Sequence, residues 1–273
     1  MISIKTLRVR IIFQLKNRGA YVPFHHQYLL AQTIRGVLGR GGDRDLLNSE
    51  DYNFSGLKGQ TRISRKGLHF FSARVTLVFS TSSKEFLDHF TSLLLQMRSL
   101  QVGNLELQPE RVESEPIPVL GETGKFLCIS PLVLLPGVFQ DETGKRFITP
   151  DSDEFSDLLY EHTIARMEAS GRFSADELKS FYRFQLVPDR DYLLKLEENN
   201  KKFSRIYPMF DSDIRYEVRG YTFPFALYAA PAVQQFVFEN GLGQLNHKGF
   251  GMLDLAGHHP VGQDSEQEMQ QYA

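Results

Sequence analysis

The sequence predicts an α+β protein with two ferredoxin-like domains in tandem. In the first half, the predicted elements follow the order strand, helix, two strands, helix and strand, which is the split βαβ arrangement of that fold. The second half is of similar length and again mixes strands with helices. We interpret it as a second, distorted copy, although no internal sequence repeat is visible. We expect an N-terminal domain at 1–118, a C-terminal domain at 119–257 and a polar, disordered tail at 258–273.

The first strand and the first helix are predicted from hydrophobic periodicity. From Ile4 to Leu15, apolar residues nearly alternate with basic and polar ones, which indicates a half-buried strand with a basic outer face. Pro23 is expected to open the helix, because a proline at the first helical position loses no hydrogen bond. Apolar residues then recur at helical spacing as far as Leu38, and Gly39 is expected to end the helix.

The remaining elements follow from similar patterns. In the first domain we predict strands at 52–57, 68–80 and 105–112 and a helix at 86–97, which begins after a capping box made by Ser82 and Glu85. The Pro- and Gly-containing segment 116–124 indicates a domain junction. In the second domain we predict strands at 126–134, 203–207 and 213–218, an extended apolar run at 221–228, helices at 154–169 and 231–238, and a helix capped by Ser174 and Glu177.

Composition limits the class of protein. The 273 residues are 41% hydrophobic, which supports a substantial core. The chain has one cysteine, Cys128, so a disulfide framework is excluded and a reducing compartment is expected. No signal peptide is apparent, and no apolar run approaches the length of a membrane span. We therefore expect a cytoplasmic protein without membrane association.

Basic residues are concentrated at the start of the chain. Residues 1–74 hold 13 Lys/Arg and 4 Asp/Glu, whereas the rest of the chain holds 18 and 29. This asymmetry predicts a basic face, which attracts phosphate groups in a salt-dependent manner. The alternative is a basic face that is only solvated and has no partner.

A glycine-rich segment, GLGQLNHKGFG, occupies residues 241–251. Its four glycines are Gly241, Gly243, Gly249 and Gly251. Because glycine is costly inside regular elements, these positions indicate repeated positive φ angles or a very close backbone approach. A loop with bare amides that also carries His247 and Lys248 suits a phosphate-bearing partner, and the alternative is a tight packing turn.

Several familiar active-site motifs are absent from the sequence. The segment 241–251 follows a helix and precedes a strand, which is the reverse of a dinucleotide-binding fingerprint, and no Gly-Lys-Ser/Thr of a P-loop is present. No His, Cys, Asp or Glu residues have metal-ligand spacing, and no nucleophile elbow occurs. We expect neither a metal nor another cofactor.

The segment RGYTFPF at 219–225, together with 241–251, resembles the C-terminal glycine-rich motif of CRISPR-associated endoribonucleases that cut repeat RNA within the precursor transcript. These enzymes belong to the repeat-associated mysterious protein superfamily. The family pattern is Gly-apolar-Gly, five residues, Gly-apolar-Gly after a helix, and Leu242 and Phe250 are the apolar members here. The first half is similar to the family in element order and in Phe54-Ser55. The resemblance covers roughly residues 1–257 and implies the same tandem ferredoxin-like (RRM-like) fold.

The resemblance implies metal-independent RNA cleavage, in which the ribose 2′-hydroxyl attacks the adjacent phosphate and gives a cyclic phosphate and a 5′-hydroxyl. This reaction needs a general base, a general acid and a cation that stabilises the charged phosphorane. Histidine suits both proton transfers, and Lys or Arg suits the third role. Because the nucleophile is the 2′-hydroxyl, the substrate would be RNA and not DNA.

His25 and His26 are the candidate catalytic histidines, since one branch of the family places its histidine at the start of the first helix after a Pro-aromatic pair. Tyr28 is a candidate to orient the RNA or to share proton transfer. In other branches the histidine follows the helix, in a segment that corresponds to 40–51 and contains no histidine here. The alternative for each histidine is a structural role at the start of the helix, with its ring hydrogen-bonded to the backbone. The alternative for Tyr28 is a side chain that only packs.

Helical spacing distinguishes the two histidines. His26 shares a stripe with Leu30 and Ile34 and is expected to point inward, whereas His25 lies on the side of Leu29. An inward histidine at a helix end can still line a site.

The candidate RNA-binding residues lie in two regions. In the family the glycine-rich loop lies against the first helix and contacts RNA, so Lys248 is the first candidate for a phosphate contact, with His247 and the four glycines beside it. A secondary basic cluster is expected in the N-terminal half and consists of Arg40, Arg44, Arg62, Arg65 and Lys66. Arg62, Arg65 and Lys66 lie in a predicted hairpin. The alternative for each is an ordinary surface charge.

The predicted function is an endoribonuclease that cleaves CRISPR precursor transcripts within the repeat, with repeat RNA as its partner. One alternative is a non-catalytic relative that binds guide RNA in an effector complex, which the lack of a histidine at 40–51 favours. Another is a two-domain protein whose glycine-rich segment packs or holds a small phosphorylated ligand. Other CRISPR effector subunits and a second copy of the chain, forming a homodimer, are further candidate partners.

Overall fold

The computed structural model describes residues 7–135, 148–211 and 214–256. The chain divides into two compact units. Unit 1 consists of Met1–Ile117 together with Asn246–Gly249, and unit 2 consists of Pro118–Leu245 together with Phe250–Ala273. A short piece of the C-terminal sequence therefore belongs to the N-terminal unit. The predicted strand residues before Leu7 and the predicted disorder of 258–273 lie outside the described residues.

Unit 1 contains eight strands and three α-helices among its described residues. The strands are β1 (Leu7–Leu15), β2 (Tyr21–Val22), β3 (Tyr52–Phe54), β4 (Thr61–Ser64), β5 (Gly67–Phe70), β6 (Arg74–Thr81), β7 (Leu100–Val102) and β8 (Leu105–Ser114). The helices are α1 (Gln27–Leu38), α2 (Arg44–Asn48) and α3 (Lys84–Leu95), and two 3₁₀ helices cover Gly39–Gly41 and Asn246–Lys248.

The main sheet of unit 1 has the ferredoxin-like strand order. Its strands run β3-β6-β1-β8-β7, and each neighbouring pair is antiparallel. Helix α1 connects β1 to β3, and α3 connects β6 to β8, as the split βαβ arrangement requires. Alternate residues of β1 and the apolar stripe of α1 enter one core, because strands and helices present those periods to a single face. Members of that core include Val9, Ile11, Phe13, Leu15, Leu30, Ile34 and Val37.

A smaller sheet of order β2-β5-β4 completes unit 1. Its inner residues Val22, Leu68 and Phe70 are buried in the same core. Gly67 has a φ of 139° and lies directly against the backbone of Val22, so a side chain at this position would collide with β2.

Unit 2 contains seven strands and four α-helices among its described residues. The strands are β9 (Thr123–Cys128), β10 (Leu132–Val133), β11 (Phe184–Pro188), β12 (Ser204–Asp211), β13 (Ile214–Tyr221), β14 (Pro224–Ala229) and β15 (Leu253–Leu255). The helices are α4 (Asp153–Ala169), α5 (Ala175–Ser180), α6 (Arg190–Glu198) and α7 (Pro231–Asn240).

The second sheet repeats the arrangement of the first. Its order is β11-β14-β9-β15, all antiparallel, and the chain passes through β9, α4, β11, β14, α7 and β15 in that sequence. Between β11 and β14 the chain adds α6 and the hairpin β12–β13, which joins β10 in a separate sheet of order β10-β13-β12. The second copy is therefore recognisable by its strand order, and the inserted hairpin is what distorts it.

Four local predictions were wrong. The strand predicted at 126–134 is two strands, β9 and β10, which belong to different sheets. Helix α1 begins at Gln27 and not at Pro23, because the residues between them form a turn. The strand predicted at 68–80 is two strands, β5 and β6, which belong to different sheets. The cap of α3 is Ser83, whose Oγ accepts from the backbone N–H of Phe86 at 3.1 Å, whereas the Ser82 hydroxyl donates to the Asp51 carboxylate.

Two other predictions are confirmed. The capping box of Ser174 and Glu177 is present at the start of α5. The basic hairpin is present as β4–β5. Within the described ranges, no helix has both the length and the apolar character needed to cross a lipid bilayer.

Candidate active site

The glycine-rich loop, residues 241–251, follows α7 directly. All four of its glycines have positive φ angles: 82° at Gly241, 77° at Gly243, 85° at Gly249 and 72° at Gly251. Such angles are strained for residues that carry a Cβ atom, so this backbone path explains why glycine recurs here. Leu245 also has a positive φ, of 60°.

The base of the loop is closed by backbone hydrogen bonds. The Leu242 N–H donates to the Gly251 carbonyl at 2.8 Å, which ties one Gly-apolar-Gly triplet to the other. The Gln244 N–H donates to the Val133 carbonyl of β10 at 2.9 Å. The apolar members, Leu242 and Phe250, are completely buried. The first triplet and the last two residues of the second therefore form a hydrogen-bonded base in unit 2.

An arginine from α4 also holds this base. The Arg166 guanidinium donates to the carbonyls of Asn240 at 2.6 Å, Gly241 at 2.8 Å and Gly243 at 3.4 Å. It also lies 5.5 Å from the centroid of the Phe236 ring. Carbonyls at a helix C-terminus lack helical partners and attract cations, so Arg166 satisfies groups that would otherwise need water.

The tip of the loop, Asn246–Gly249, belongs to unit 1, where its 3₁₀ helix packs against α1 and β3. Gly249 lies against the ring of Phe54, and a Cβ atom there would overlap that ring. His247 Nε2 lies 3.4 Å from Glu50 Oε1, just before β3. Lys248 is half-buried. The tip therefore holds an imidazole and an ammonium group beside α1.

His26 is buried, with an exposed fraction of 3%. Its Nδ1 lies 3.0 Å from the Pro23 carbonyl, which assigns the ring proton to Nδ1, and among the described residues its Nε2 has no hydrogen-bond partner. Burial lowers the pKa of His26 to about 4, so the ring is neutral at neutral pH. The inward orientation expected from its helical stripe is confirmed.

His25 is half-buried and lies in the turn just before α1. Its ring stacks on Tyr28, with 6.1 Å between ring centroids and 18° between ring planes. Burial lowers the pKa of His25 below its usual value of 6.5. This histidine is therefore neutral at neutral pH and, unlike His26, accessible from solvent.

The predicted basic cluster divides into two groups. Arg40 lies in the 3₁₀ helix after α1 and Arg44 begins α2, so both lie at the C-terminal end of α1. Arg62, Arg65 and Lys66 lie on the hairpin β4–β5, which contacts the backbone just before α1. Because α1 has 12 residues, about 18 Å of helix separates the groups. All five side chains are exposed.

Two residues of this region were missed by the sequence analysis. Glu50 is one of few acidic residues in a basic half of the chain, a signal that was available but weak. Arg166 lies in α4, and nothing in its local sequence indicates a contact with the glycine-rich loop.

Comparison of the sequence with models of known protein families identifies the family of this chain. A family model described as "CRISPR associated protein Cas6, C-terminal" matches residues 113–255, more than half of the chain. The chain belongs to the Cas6 family. The matched residues include both Gly-apolar-Gly triplets and Arg166.

Individual Cas6 relatives are distant but aligned over nearly their whole length. The chain is 22% identical over 257 residues to a CRISPR-associated endoribonuclease-like protein Cas6 of Pyrococcus furiosus, covering 91% of this chain and 98% of that protein. A Cas6-related gene product of Pyrococcus furiosus has a solved structure with a TM-score of 0.76, at 20% identity over 93% of this chain and 100% of that one.

A further solved structure, of an RAMP protein binding different RNA substrates, has a TM-score of 0.74 at 19% identity and covers 92% of this chain and 99% of that one. At these identities the likeness establishes the fold. The tandem ferredoxin-like fold predicted from the sequence is confirmed.

Proposed function

We propose that this Cas6 family member is a metal-independent endoribonuclease that cleaves CRISPR precursor transcripts within the repeat. The observation that carries the proposal is the position of the loop tip. The 3₁₀ helix that carries His247 and Lys248 contacts α1, and His25 lies in the turn before α1. The proposal places both histidines at one scissile phosphate. Two accessible imidazoles and one ammonium group are what 2′-hydroxyl attack on a phosphodiester needs.

The proposed reaction is an internal transesterification. A base removes the proton from the 2′-hydroxyl, the 2′-oxygen bonds to phosphorus, and the bond from phosphorus to the 5′-oxygen breaks. An acid delivers a proton to the departing 5′-oxygen. The products are a cyclic phosphate and a 5′-hydroxyl, so atoms and charge balance without an external nucleophile.

We assign the general base to His25. Its lowered pKa keeps the ring unprotonated at neutral pH, and its partial exposure leaves it open to substrate. Tyr28 stacks on the ring and fixes its orientation. His26, which is buried and bonded to the Pro23 carbonyl, acts as a positioning residue for the turn that carries His25.

We assign phosphate binding to Lys248 and the general acid to His247. His247 Nε2 lies 3.4 Å from Glu50 Oε1, so the carboxylate can hold the imidazole in one orientation beside the substrate. Glu50 belongs to the segment 40–51, where other branches of the family place their histidine. His247 would thus supply from the loop the imidazole that this segment lacks.

The decisive test is cleavage of the host's own CRISPR repeat RNA by purified protein in excess EDTA. A single cut that leaves a cyclic phosphate, and that disappears when the scissile nucleotide carries a 2′-deoxyribose, is the expected result. Tight, salt-sensitive binding without a cut would instead support a guide-RNA-binding subunit, the function that the missing histidine at 40–51 favours. Binding to other CRISPR effector subunits and homodimer formation are also proposals, which size-exclusion chromatography of the RNA-bound protein would test.

A further inference from the structure

The outer face of the small sheet β2-β5-β4 carries aromatic rings interleaved with cations. His69 of β5 pairs across the strands with Tyr21 of β2 on one side and with Arg62 of β4 on the other. The Tyr21 and His69 ring centroids are 5.3 Å apart. The Arg62 guanidinium lies 5.1 Å from the centroid of Phe71, and Lys66 Nζ lies 6.0 Å from that of Tyr21. We call Tyr21, Arg62, Lys66, His69 and Phe71 the aromatic–basic face.

This face is held rigidly before any ligand binds. Both ring nitrogens of His69 are engaged: Nδ1 lies 2.8 Å from the Gly19 carbonyl and Nε2 lies 2.9 Å from Ser64 Oγ. The opposite face of the sheet is anchored in the core of unit 1. A ligand that stacks here would therefore lose little conformational entropy of the protein on binding.

The charge of the face is not neutralised by its own segment. The sequence contains no Asp or Glu from Tyr52 to Lys84, a stretch that includes the whole hairpin β4–β5, and none from Leu7 to Gly42, which includes β2. Arg62, Lys66 and the neighbouring Arg65 are exposed, and Phe71 is 39% exposed. A partly exposed apolar ring beside cations whose own segments contain no acidic residue suits a ligand with both flat apolar surfaces and phosphates.

Unpaired RNA has those features in accessible form. Single strands bind to proteins by stacking bases on aromatic side chains while basic groups follow the backbone, whereas the bases of a duplex are already stacked on one another. The position of the face is also suitable, because β2 leads directly into the turn that carries His25. A strand bound on the face would be held beside the proposed general base.

We propose that the aromatic–basic face binds an unpaired segment of the RNA next to the cleavage site, with bases stacked on Phe71 and Tyr21 and phosphates paired with Arg62, Arg65 and Lys66. The inference deepens the proposed function and rests on it for the identity of the natural RNA. It assigns a role to Tyr21, His69 and Phe71, which are not part of the proposed chemistry.

The test measures affinity by fluorescence anisotropy for three labelled ligands: an oligouridylate, a duplex of equal length and an abasic oligonucleotide. The oligouridylate has about 12 nucleotides, which is within the site size of single-strand-binding domains. Phe71→Leu should weaken oligouridylate binding about tenfold, the effect of losing one stacked base, and should leave abasic binding unchanged. Phe71→Tyr should restore affinity. Arg62→Gln should weaken binding of the oligouridylate and of the abasic oligonucleotide, and should lower the slope of log affinity against log salt by about 0.7.

The matched control is a similar pair in unit 2, where the Arg183 guanidinium lies 5.9 Å from the centroid of Tyr182, whose exposed fraction is 69%. Tyr182→Leu should leave all three affinities unchanged. The inference is overturned if Phe71→Leu binds oligouridylate as tightly as the wild type, if it weakens abasic binding equally, or if the wild type prefers the duplex.

Failure of this inference and failure of the proposed function are distinguishable. If the wild type cuts repeat RNA but Phe71→Leu binds single strands normally, only the inference fails. If the wild type binds single strands through Phe71 but never cuts, only the nuclease assignment fails.

Discussion

His247 Nε2 lies 3.4 Å from Glu50 Oε1, so the tip of the glycine-rich loop brings an imidazole to a carboxylate that is far away in the sequence. The side chain of His247 is 17% exposed and that of Glu50 is 73% exposed. The ion pair is therefore largely hydrated and adds little to stability. The contact matters for the proposed chemistry because the carboxylate holds the His247 ring in one orientation.

His247→Gln is expected to slow repeat-RNA cleavage by about 10²–10⁴-fold, the usual contribution of a general acid, and to leave RNA affinity nearly unchanged. The sharpest measurement uses a substrate whose 5′-bridging oxygen is replaced by sulfur, since a thiolate leaves without protonation. On that substrate the variant should cut almost as fast as the wild type. His162→Gln on α4 is the matched control and should cut both substrates normally. A defect of equal size on both substrates would show that His247 is not the acid.

A second prediction concerns His25 and pH. Burial lowers the pKa of His25, and a general base acts in its unprotonated form, so cleavage should persist below pH 6.5 and fall only as pH drops through the lowered value. The single-turnover rate measured against pH should show this acidic limb, and His25→Ala should remove the limb and slow the reaction about 10²–10⁴-fold. An unchanged limb in His25→Ala would assign the base to another residue.

The sequence was sufficient for the features that depend on local periodicity. The stripe of α1 predicted the inward position of His26, and the spacing of Ser174 and Glu177 predicted a capping box that is present. The element order predicted both ferredoxin-like sheets, because the strand order of this fold follows from its connections.

Features decided by long-range contacts were not predictable. Ser82 and Ser83 are both reasonable caps for α3. The Ser82 hydroxyl donates to the Asp51 carboxylate, and Ser83 caps the helix instead. The apolar alternation of 68–80 continues across the break between β5 and β6, so no local signal shows that the two strands enter different sheets. The pairing of His247 with Glu50 likewise exists only once the loop tip packs in unit 1.

A third prediction concerns Arg166, which donates to three carbonyls at the base of the loop. Arg166→Met keeps an unbranched apolar stem but removes the guanidinium, and should destabilise unit 2 by about 2 kcal/mol. It should also speed amide hydrogen exchange at 242–251 and weaken repeat-RNA binding about tenfold, because the loop is no longer held in one conformation. Affinity is measured well below the melting temperature.

The control for this variant is Arg172→Met. Arg172 pairs with Glu239 of α7 at 3.1 Å, with both side chains mostly buried, so its loss also destabilises unit 2. The ion pair of Arg172 is with Glu239, whereas Arg166 contacts the loop carbonyls. If both variants weaken RNA binding equally, general destabilisation explains the effect and Arg166 has no specific positioning role.

The last prediction concerns His26 and stability in acid. The folded-state pKa is about 4, whereas an unfolded chain has the ordinary value of 6.5. Between these values the unfolded state binds more protons, so the free energy of unfolding is fully maintained above pH 6.5 and falls as pH decreases toward 4. From about pH 7.5 to about pH 5 this residue alone should cost the native state about 2 kcal/mol.

Urea unfolding of the wild type and of His26→Gln at both pH values measures this contribution. The variant should lose about 2 kcal/mol less than the wild type on acidification, whatever its stability at pH 7.5, because glutamine does not titrate. An NMR titration of the folded protein should show the His26 ring staying neutral until pH approaches 4. A ring that titrates near pH 6.5, or equal acid sensitivity of the two proteins, would mean that His26 is hydrated in solution, and the general base could then be either histidine.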